Sequence, residues 1–393
     1  MQAYRVGGSV RDELLGLPVV DRDWVVVGAT PQQMIDQGFR PVGKDFPVFL
    51  HPLSKEEYAL ARTERKTGPG YKGFAVHFSP GVTLEEDLAR RDLTINAMAQ
   101  AADGSITDPF GGRQDIADRV LRHVSESFTE DPVRILRLAR FAARFADFRV
   151  APKTMALMQR MTAAGEVNAL VAERVWQEVS RGLQEIRPSR MIEVLREAGA
   201  LQVLLPELEA PGPLPAPDPS WSAWLRALDR CAARKEALPV SYAVLLARAG
   251  ATSSEAPDAP VLQVSQRLRA PLECRDVAAL LVRERYPGSG QIDVLARVAS
   301  LTPSGLLQLL ERCDAWRRPQ RVSALIQAAA ALSGVDPDKD SGAIRLRKAL
   351  DAAAGLNQGE IARRHHGRPD AIRAAIDQAR LRLITEATDP GRQ

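Results

Sequence analysis

Cysteine, histidine and aromatic residues are scarce in this chain of 393 residues. Its three cysteines, Cys231, Cys274 and Cys313, lie far apart and no pair has metal-ligand spacing. An odd number also argues against a disulfide framework, so they read as buried thiols. Aromatic residues make up only 5%. If the chain meets a nucleic acid, base stacking along a long single strand is therefore not expected to dominate. No apolar run approaches the roughly 18 residues that cross a membrane. The opening MQAYRVGGSVRDELLG is too polar for a secretion signal, and the expectation is a soluble, cytoplasmic protein. Charge of one sign does not dominate either. Lys and Arg number 53 against 49 Asp and Glu, for a net charge of +4 and a pI near 9.1. A polyanionic partner is permitted only if that small excess is gathered on one face.

What is present divides in two. A length of 393 residues suggests two to four domains. Residues 1–128 look mixed α/β: Ala3–Val6 reads as a strand, Gly7-Gly8 as a break, and the stretch to Leu15 as a helix. Asp23–Val27 is β-branched and bounded by Gly28, the pattern of a strand, and Val48–His51 and Glu57–Ala61 are two more candidates. Lys66–Phe74 is rich in Gly, Pro and Lys and predicts a loop of the kind that closes over a ligand. From Thr129 the spacing of Ile, Leu and Val turns helical and stays so to the end. Two stretches interrupt it: the proline-dense 210–220, read as a linker, and 252–260. No internal repeat is apparent. The fold class expected is α+β: a mixed-sheet head and a long all-helical remainder.

Four motifs carry chemistry. In V-G-G-S-V-R-D (6–12) a strand runs through two glycines into a helix, leaving backbone N–H groups where a phosphate would sit. Arg11, in the first turns of that helix, is placed to reach a triphosphate oxygen; the competing reading is a tight turn. Asp21 and Asp23 lie at i and i+2 entering a strand, which puts two carboxylates on one face about 6–7 Å apart. They repel unless a divalent cation lies between them, and their oxygens suit magnesium. Metals so held activate an attacking hydroxyl and stabilise a leaving phosphate. In R-R-D-L-T-I-N-A-M-A (90–99), Asp92 or Thr94 is expected to cap a helix. Arg90 and Arg91 would then crowd its positive end, which calls for a phosphate or a nearby carboxylate. In E-D-P-V-R-I-L-R-L-A-R-F (130–141), Asp131 before Pro132 looks like an N-cap. It is also a helical neighbour of Arg134. Arg134, Arg137 and Arg140 recur every three residues and so wrap the helix rather than forming one stripe.

An Asp–Arg pair can choose between bases. Cytosine and adenine each present an amino donor beside a ring-nitrogen acceptor; uracil and guanine present a carbonyl beside a ring N–H. A carboxylate only accepts and a guanidinium only donates, so a fixed pair matches C and A. Each buried group left unpaired by U or G costs about 1–3 kcal/mol.

With these elements in this order, the sequence resembles the class II tRNA nucleotidyltransferases, the CCA-adding enzymes. The resemblance rests on GGSVRD (7–12), DRD (21–23), RRDLTINAMA (90–99), DPFGGRQDI (108–116) and EDPVRILRLARF (130–141). It is dense to about residue 208 and thinner beyond. It implies a head related to DNA polymerase beta over 1–128, a helical neck over 129–210, a body over 211–330 and a tRNA-binding tail over 331–393. It implies CTP and ATP as substrates, tRNA as partner and Mg²⁺ as cofactor. By position, Asp21 and Asp23 would be the catalytic, metal-binding carboxylates. Gly8, Arg11, Arg91, Arg137 and Arg140 would bind nucleotide, and Asp131 and Arg134 would select it. Asp108 would belong to the segment linking head and neck motions.

One departure and three rival readings stand beside that resemblance. Members of the long bacterial form carry a phosphohydrolase domain with a His-Asp pair. Its counterpart, Ser241–Gly250, has Ala247-Arg248 there, and 252–260 replaces the expected histidine-rich segment. With five histidines in the chain, loss of hydrolase activity is expected. Bacterial poly(A) polymerases share the head, but typically show a basic Gly-Arg-Arg-Phe stretch where this chain has Val42–Val48 with Asp45. A partial C- or A-adding enzyme and a non-catalytic tRNA-binding relative are the other readings. On the tail, RLRK (345–348) and ARRHHGR (362–368) are candidate phosphate contacts, weighed against a solvated basic face.

Overall fold

The computed structural model describes residues 1–42, 48–66, 74–209, 219–249, 256–286, 292–365 and 368–388. Asp45, the core of the loop expected over Lys66–Phe74, most of the two breaker-rich stretches, and His366 lie outside those residues. The chain divides into two compact units, 1–182 with 190–204, and 183–189 with 205–393.

The first unit is built on a mixed sheet. Strands β1 (Gln2–Val6), β2 (Asp23–Val27), β3 (Arg40–Val42), β4 (Val48–Leu50) and β5 (Glu57–Leu60) lie in the order β3-β4-β5-β2-β1. Two short strands, Ala99–Gln100 and Ile106–Thr107, extend it beyond β1. β2 pairs antiparallel with β1 and parallel with β5, so Asp23 stands opposite Val6 on one side and Glu57 on the other. Adjacent residues of β2 face opposite ways. Val25 packs with Val6, Leu84, Leu88 and Ala97; Val26 packs with Met34, Phe39, Phe49 and Leu60. Burial on both faces explains why β2 reads as a continuous apolar run.

Helix α1 (Gly8–Leu14) follows β1 directly, and α2 (Pro31–Asp36) opens on a Thr30 capping box. The hairpin Arg62–Lys66 with Phe74–Phe78 is absent from the sequence reading. Helix α3 (Leu84–Ala89) is capped by Thr83 and Glu86. A helix expected within 90–99 is not there. Arg90 is instead the C-cap of α3, and Thr94–Asn96 makes one 3-10 turn before Ala99 enters the sheet. The arginines therefore sit at a negative helix end, where cations are favoured.

Helix α4 (Gly112–Ala117) follows, held at its start by Asp108, whose carboxylate accepts from the N–H groups of Gly112 (2.7 Å) and Arg113 (2.9 Å). Gly112 packs so tightly that a Cβ there would lie 2.4 Å from the Thr94 carbonyl oxygen. Helix α5 (Val133–Arg144) buries Ile135, Leu136, Leu138, Ala139 and Phe141. Helices α6 (Pro152–Ala163) and α7 (Ala172–Gly182) follow, and α7 packs on α5. A short parallel pair, Val120–Leu121 with Arg149–Val150, joins backbone on either side of residue 129.

The second unit is helical. Its central helix, Leu238–Leu246, is buried at every position from Val240 to Leu246 and packs on Leu272–Arg285 and Gln320–Ser333. Arg248, just beyond it, donates to the Leu208 carbonyl (3.1 Å) and Ser220 Oγ (3.2 Å), with its guanidinium 5.1 Å from the Trp221 ring centre. The three cysteines are free and buried, as expected of them. Among the described residues no helix is long and apolar enough to cross a membrane.

Candidate active site

The site grows from the end of the sheet where β1 leaves and β2 enters. Gly7 leaves β1 at φ +70°, a backbone conformation that side chains strain to adopt. There is also no room for one: a Cβ on Gly7 would lie 3.0 Å from Arg91 Nη1. Arg91 is thus laid against the Gly7-Gly8 turn. Asp23, the first residue of β2, faces the same side as Val25, toward α3 and the arginines at its end.

Asp21 lies before β2 rather than on it, so the strand alternation that the sequence suggested does not place the pair. The two still feel one another. Crowding by surrounding protein pushes the Asp23 carboxyl above the usual range, Arg91 pulls it back and Asp21 pushes it up. Neither carboxylate takes a side-chain hydrogen bond or ion pair among the described residues. Two mutually repelling carboxylates without a direct ion-pair partner among those residues fit a divalent cation. No group of three or more His, Cys, Asp or Glu placed to hold a metal is found among the described residues. Two protein carboxylates, completed by substrate phosphates and water, is the way Mg²⁺ is commonly held.

Asp87 is the carboxylate that the paired arginines called for. It is fully buried on α3, accepts from Arg90 (2.7 Å) and Arg91 (3.2 Å), and takes the Arg62 N–H at 3.3 Å. Burial pushes its carboxyl up, but Arg90 and Arg91 outweigh that and hold it below the usual range. Its spacing of three and four residues from the arginines is a helical contact that the sequence already contained. Arg11 differs from expectation in orientation. Its side chain is buried, bound to Asp12 (2.9 Å) and Asn96, with its guanidinium about 5 Å from the rings of Phe141 and Phe145. Asp12 in turn holds Arg144 at 2.9 Å. Arg11 ties α1 to the 94–96 turn and to α5.

Residues 90–92 connect this edge to α5. The Arg90 carbonyl accepts from Arg134 Nη2 at 2.6 Å, and Arg134 Nη1 donates to the Ser127 carbonyl at 2.8 Å. Asp92 accepts from Arg137 Nε at 2.9 Å and from Asn96 at 3.0 Å. Burial alone would raise the Asp92 carboxyl; Arg137 and Asn96 reverse this and bring it down to about 2. Arg137 and Arg140 share Glu178 of α7, at 3.6 and 2.6 Å. The arginine series does wrap the helix: Arg134 turns to the backbone at 90 and 127, Arg140 to α7, and Arg137 lies between.

Asp131 lies outside α5, with one oxygen 3.1 Å from the Val133 N–H, the local capping contact. Its charge partner is not Arg134. Arg174 of α7 grips both carboxylate oxygens, at 3.0 and 2.7 Å. Glu178 and Arg174, one helical turn apart, carried no motif; only the packing of α7 on α5 makes them part of the site. On the tail, Arg345 donates to the Ala299 carbonyl (2.8 Å), Arg347 to Pro337 (3.0 Å) and Asp338 (2.9 Å), and Arg364 to Glu360. The fold thus already employs three of the basic groups offered there as phosphate contacts.

The family model for the poly A polymerase head domain matches residues 3–122. One described as a probable RNA and SrmB-binding site of polymerase A matches residues 147–210. The multifunctional CCA protein of Azoarcus sp. (strain BH72) is 53% identical over 385 residues, covering 92% of each chain. That of Paraburkholderia phymatum is 50% identical over 415 residues, covering 98% of each. Among solved structures, the Bacillus stearothermophilus CCA-adding enzyme in complex with CTP matches with a TM-score of 0.66 at 25% identity, over 98% of this chain and 89% of that one. The Thermotoga maritima CCA-adding enzyme complexed with tRNA shares the fold, with a TM-score of 0.69 at 22% identity over 100% and 88%.

Proposed function

The chain belongs to the family of the multifunctional CCA proteins, and on that premise we propose that it adds and repairs the 3′-terminal CCA of tRNA in the cytoplasm, using CTP and ATP. The tRNA 3′-hydroxyl oxygen forms a bond to the nucleotide α-phosphorus, and the bond from that phosphorus to the β-phosphate bridge breaks, releasing pyrophosphate. The observation that carries this reading is the continuity of residues 90–92. Arg91 lies on the Gly7-Gly8 turn near Asp23, while its neighbours hold Arg134 and Arg137 of α5. In this reading phosphate handling and base choice share one short segment, which supports assigning both to the same site.

In this proposal Asp21 and Asp23 hold Mg²⁺, which when bound would stabilise charge on the reacting phosphate. Gly8 offers its backbone N–H to the triphosphate. Arg91 and Arg137 meet the nucleotide, and Arg140 braces α5 through Glu178. We assign Arg11 to holding the floor beneath the turn, because its guanidinium is engaged by Asp12 and Asn96. Asp131 and Arg134 select the base. Asp108 shapes the start of α4. Catalysis is mostly positioning and charge stabilisation. The four-part division into head, neck, body and tail at residues 128, 210 and 330 is kept as part of the same proposal.

The test supplies tRNA ending at the discriminator base, Mg²⁺, and labelled CTP and ATP. Addition limited to C, C, A is expected. Long A tracts without CTP would favour a poly(A) polymerase, and a single nucleotide type added would mark a partial enzyme. Asp21→Ala is expected to abolish incorporation while leaving tRNA binding in place; near-normal turnover would remove Asp21 from the metal site. We further propose that phosphohydrolase activity is absent, supported by Ala247-Arg248 at the expected His-Asp and by Arg248's contacts with Leu208 and Ser220. Metal-dependent hydrolysis of 2′,3′-cyclic AMP by the pure protein, lost in a deletion of Ser241–Gly250 that spares nucleotide addition, would overturn this.

A further inference from the structure

The carboxylate of Asp131 is held in a defined plane by two elements at once. Its Oδ1 accepts from the Val133 N–H at 3.1 Å and from Arg174 Nη1 at 3.0 Å, and its Oδ2 accepts from Arg174 Nη2 at 2.7 Å. A carboxylate offers about four lone-pair sites. These three donors leave one site, on Oδ2, and fix its direction. The side chains of Arg174 and Asp131 are 26% and 23% exposed, so the pair lies where a ligand can approach.

Arg134 cannot supply this orientation, because it donates to the carbonyls of Ser127 and Arg90. Arg174 is itself on an anchored helix: Glu178, four residues on, is bound by Arg140 at 2.6 Å. A bidentate guanidinium constrains a carboxylate plane in a way that a point charge does not.

We propose that Arg174 is a specificity-determining positioning residue, whose two-point grip on Asp131 sets which carboxylate lone pair faces the amino group of an incoming base. The inference rests on the reading that Asp131 takes part in base selection. Arg174 touches no base in this scheme, yet the preference for C and A over U and G depends on it.

The experiment measures kcat/KM for CTP and for UTP with full-length protein and tRNA ending at the discriminator base, in Arg174→Ala, Arg174→Lys and Asp131→Asn, with Tm recorded for each. The CTP-to-UTP ratio cancels general losses of activity. Arg174→Ala is expected to lower that ratio about tenfold or more, equivalent to about 1.4 kcal/mol. Its Tm should stay close to that of the unaltered protein. Arg174→Lys, which keeps the charge but not the fork, is expected to recover little of the ratio. Should Arg174→Ala fail to fold, Arg174→Gln is judged by the same ratio. A ratio within twofold of the unaltered protein in the Arg174 variants, while Asp131→Asn lowers it, overturns the inference and leaves the role of Asp131 standing. A ratio unchanged in Asp131→Asn as well removes both.

Discussion

Replacing Asp92 by Asn tests the buried link between residues 90–92 and α5. Asp92 is 8% exposed, and Arg137 and Asn96 hold its carboxyl at about 2 against an ordinary value of 3.8. The depressed value means that the folded state favours the ionised form. Holding the carboxyl that far below its ordinary value corresponds to roughly 2 kcal/mol of stability. Because the folded value is the lower one, that contribution is fully present above the unfolded value. It declines as pH falls below about 4 and is largely gone near pH 2. Breaking a buried ion pair outright costs about 3–5 kcal/mol. Here Arg137 keeps Glu178 at 3.6 Å and its side chain is 36% exposed, so the smaller figure is expected. Urea unfolding of both proteins from pH 7 to pH 3 reads the difference directly. Asp92→Asn should be about 2 kcal/mol less stable at pH 7, and the gap should roughly halve by pH 3. A gap that does not change with pH would refute the assignment of the stabilisation to the ionised carboxylate.

Two further substitutions probe the frame around the site. Gly112→Ala would place a Cβ 2.4 Å from the Thr94 carbonyl oxygen and 2.9 Å from Met98, so the backbone must shift. A loss of about 1–3 kcal/mol or more, seen as a lowered Tm, is expected, and an unchanged Tm would mean that the α4 contact is loose. Glu178→Ala removes the buried carboxylate shared by Arg137 and Arg140. It should cost about 3–5 kcal/mol in chemical denaturation, and Glu178→Gln less; a cost under about 1 kcal/mol would show that α5 and α7 are held by apolar packing alone.

The edge of the candidate site was largely legible from local pattern. A strand ending in Gly7-Gly8 and a β-branched strand entered by Asp23 are short-range features, governed by backbone sterics and side-chain period, and both stand where the sequence placed them. The helix expected at 90–99 failed because the arginines close α3 instead of opening a new helix. The Asp87 spacing was the signal that could have shown it. The hairpin at Arg62–Lys66 was hidden by charged residues that carry no apolar alternation.

By itself, then, the sequence singled out the candidates for the chemistry: Asp21, Asp23, Arg91, Asp131 and Arg134 stand in motifs whose meaning is local. Only the tertiary structure decided how they are held. Arg174 and Glu178 reach the site because α7 packs on α5, and Arg11 is drawn inward because Asn96, Phe141 and Phe145 enclose it. Charge pairing at those places is set by distance in space, to which neighbouring positions along a single chain carry no key.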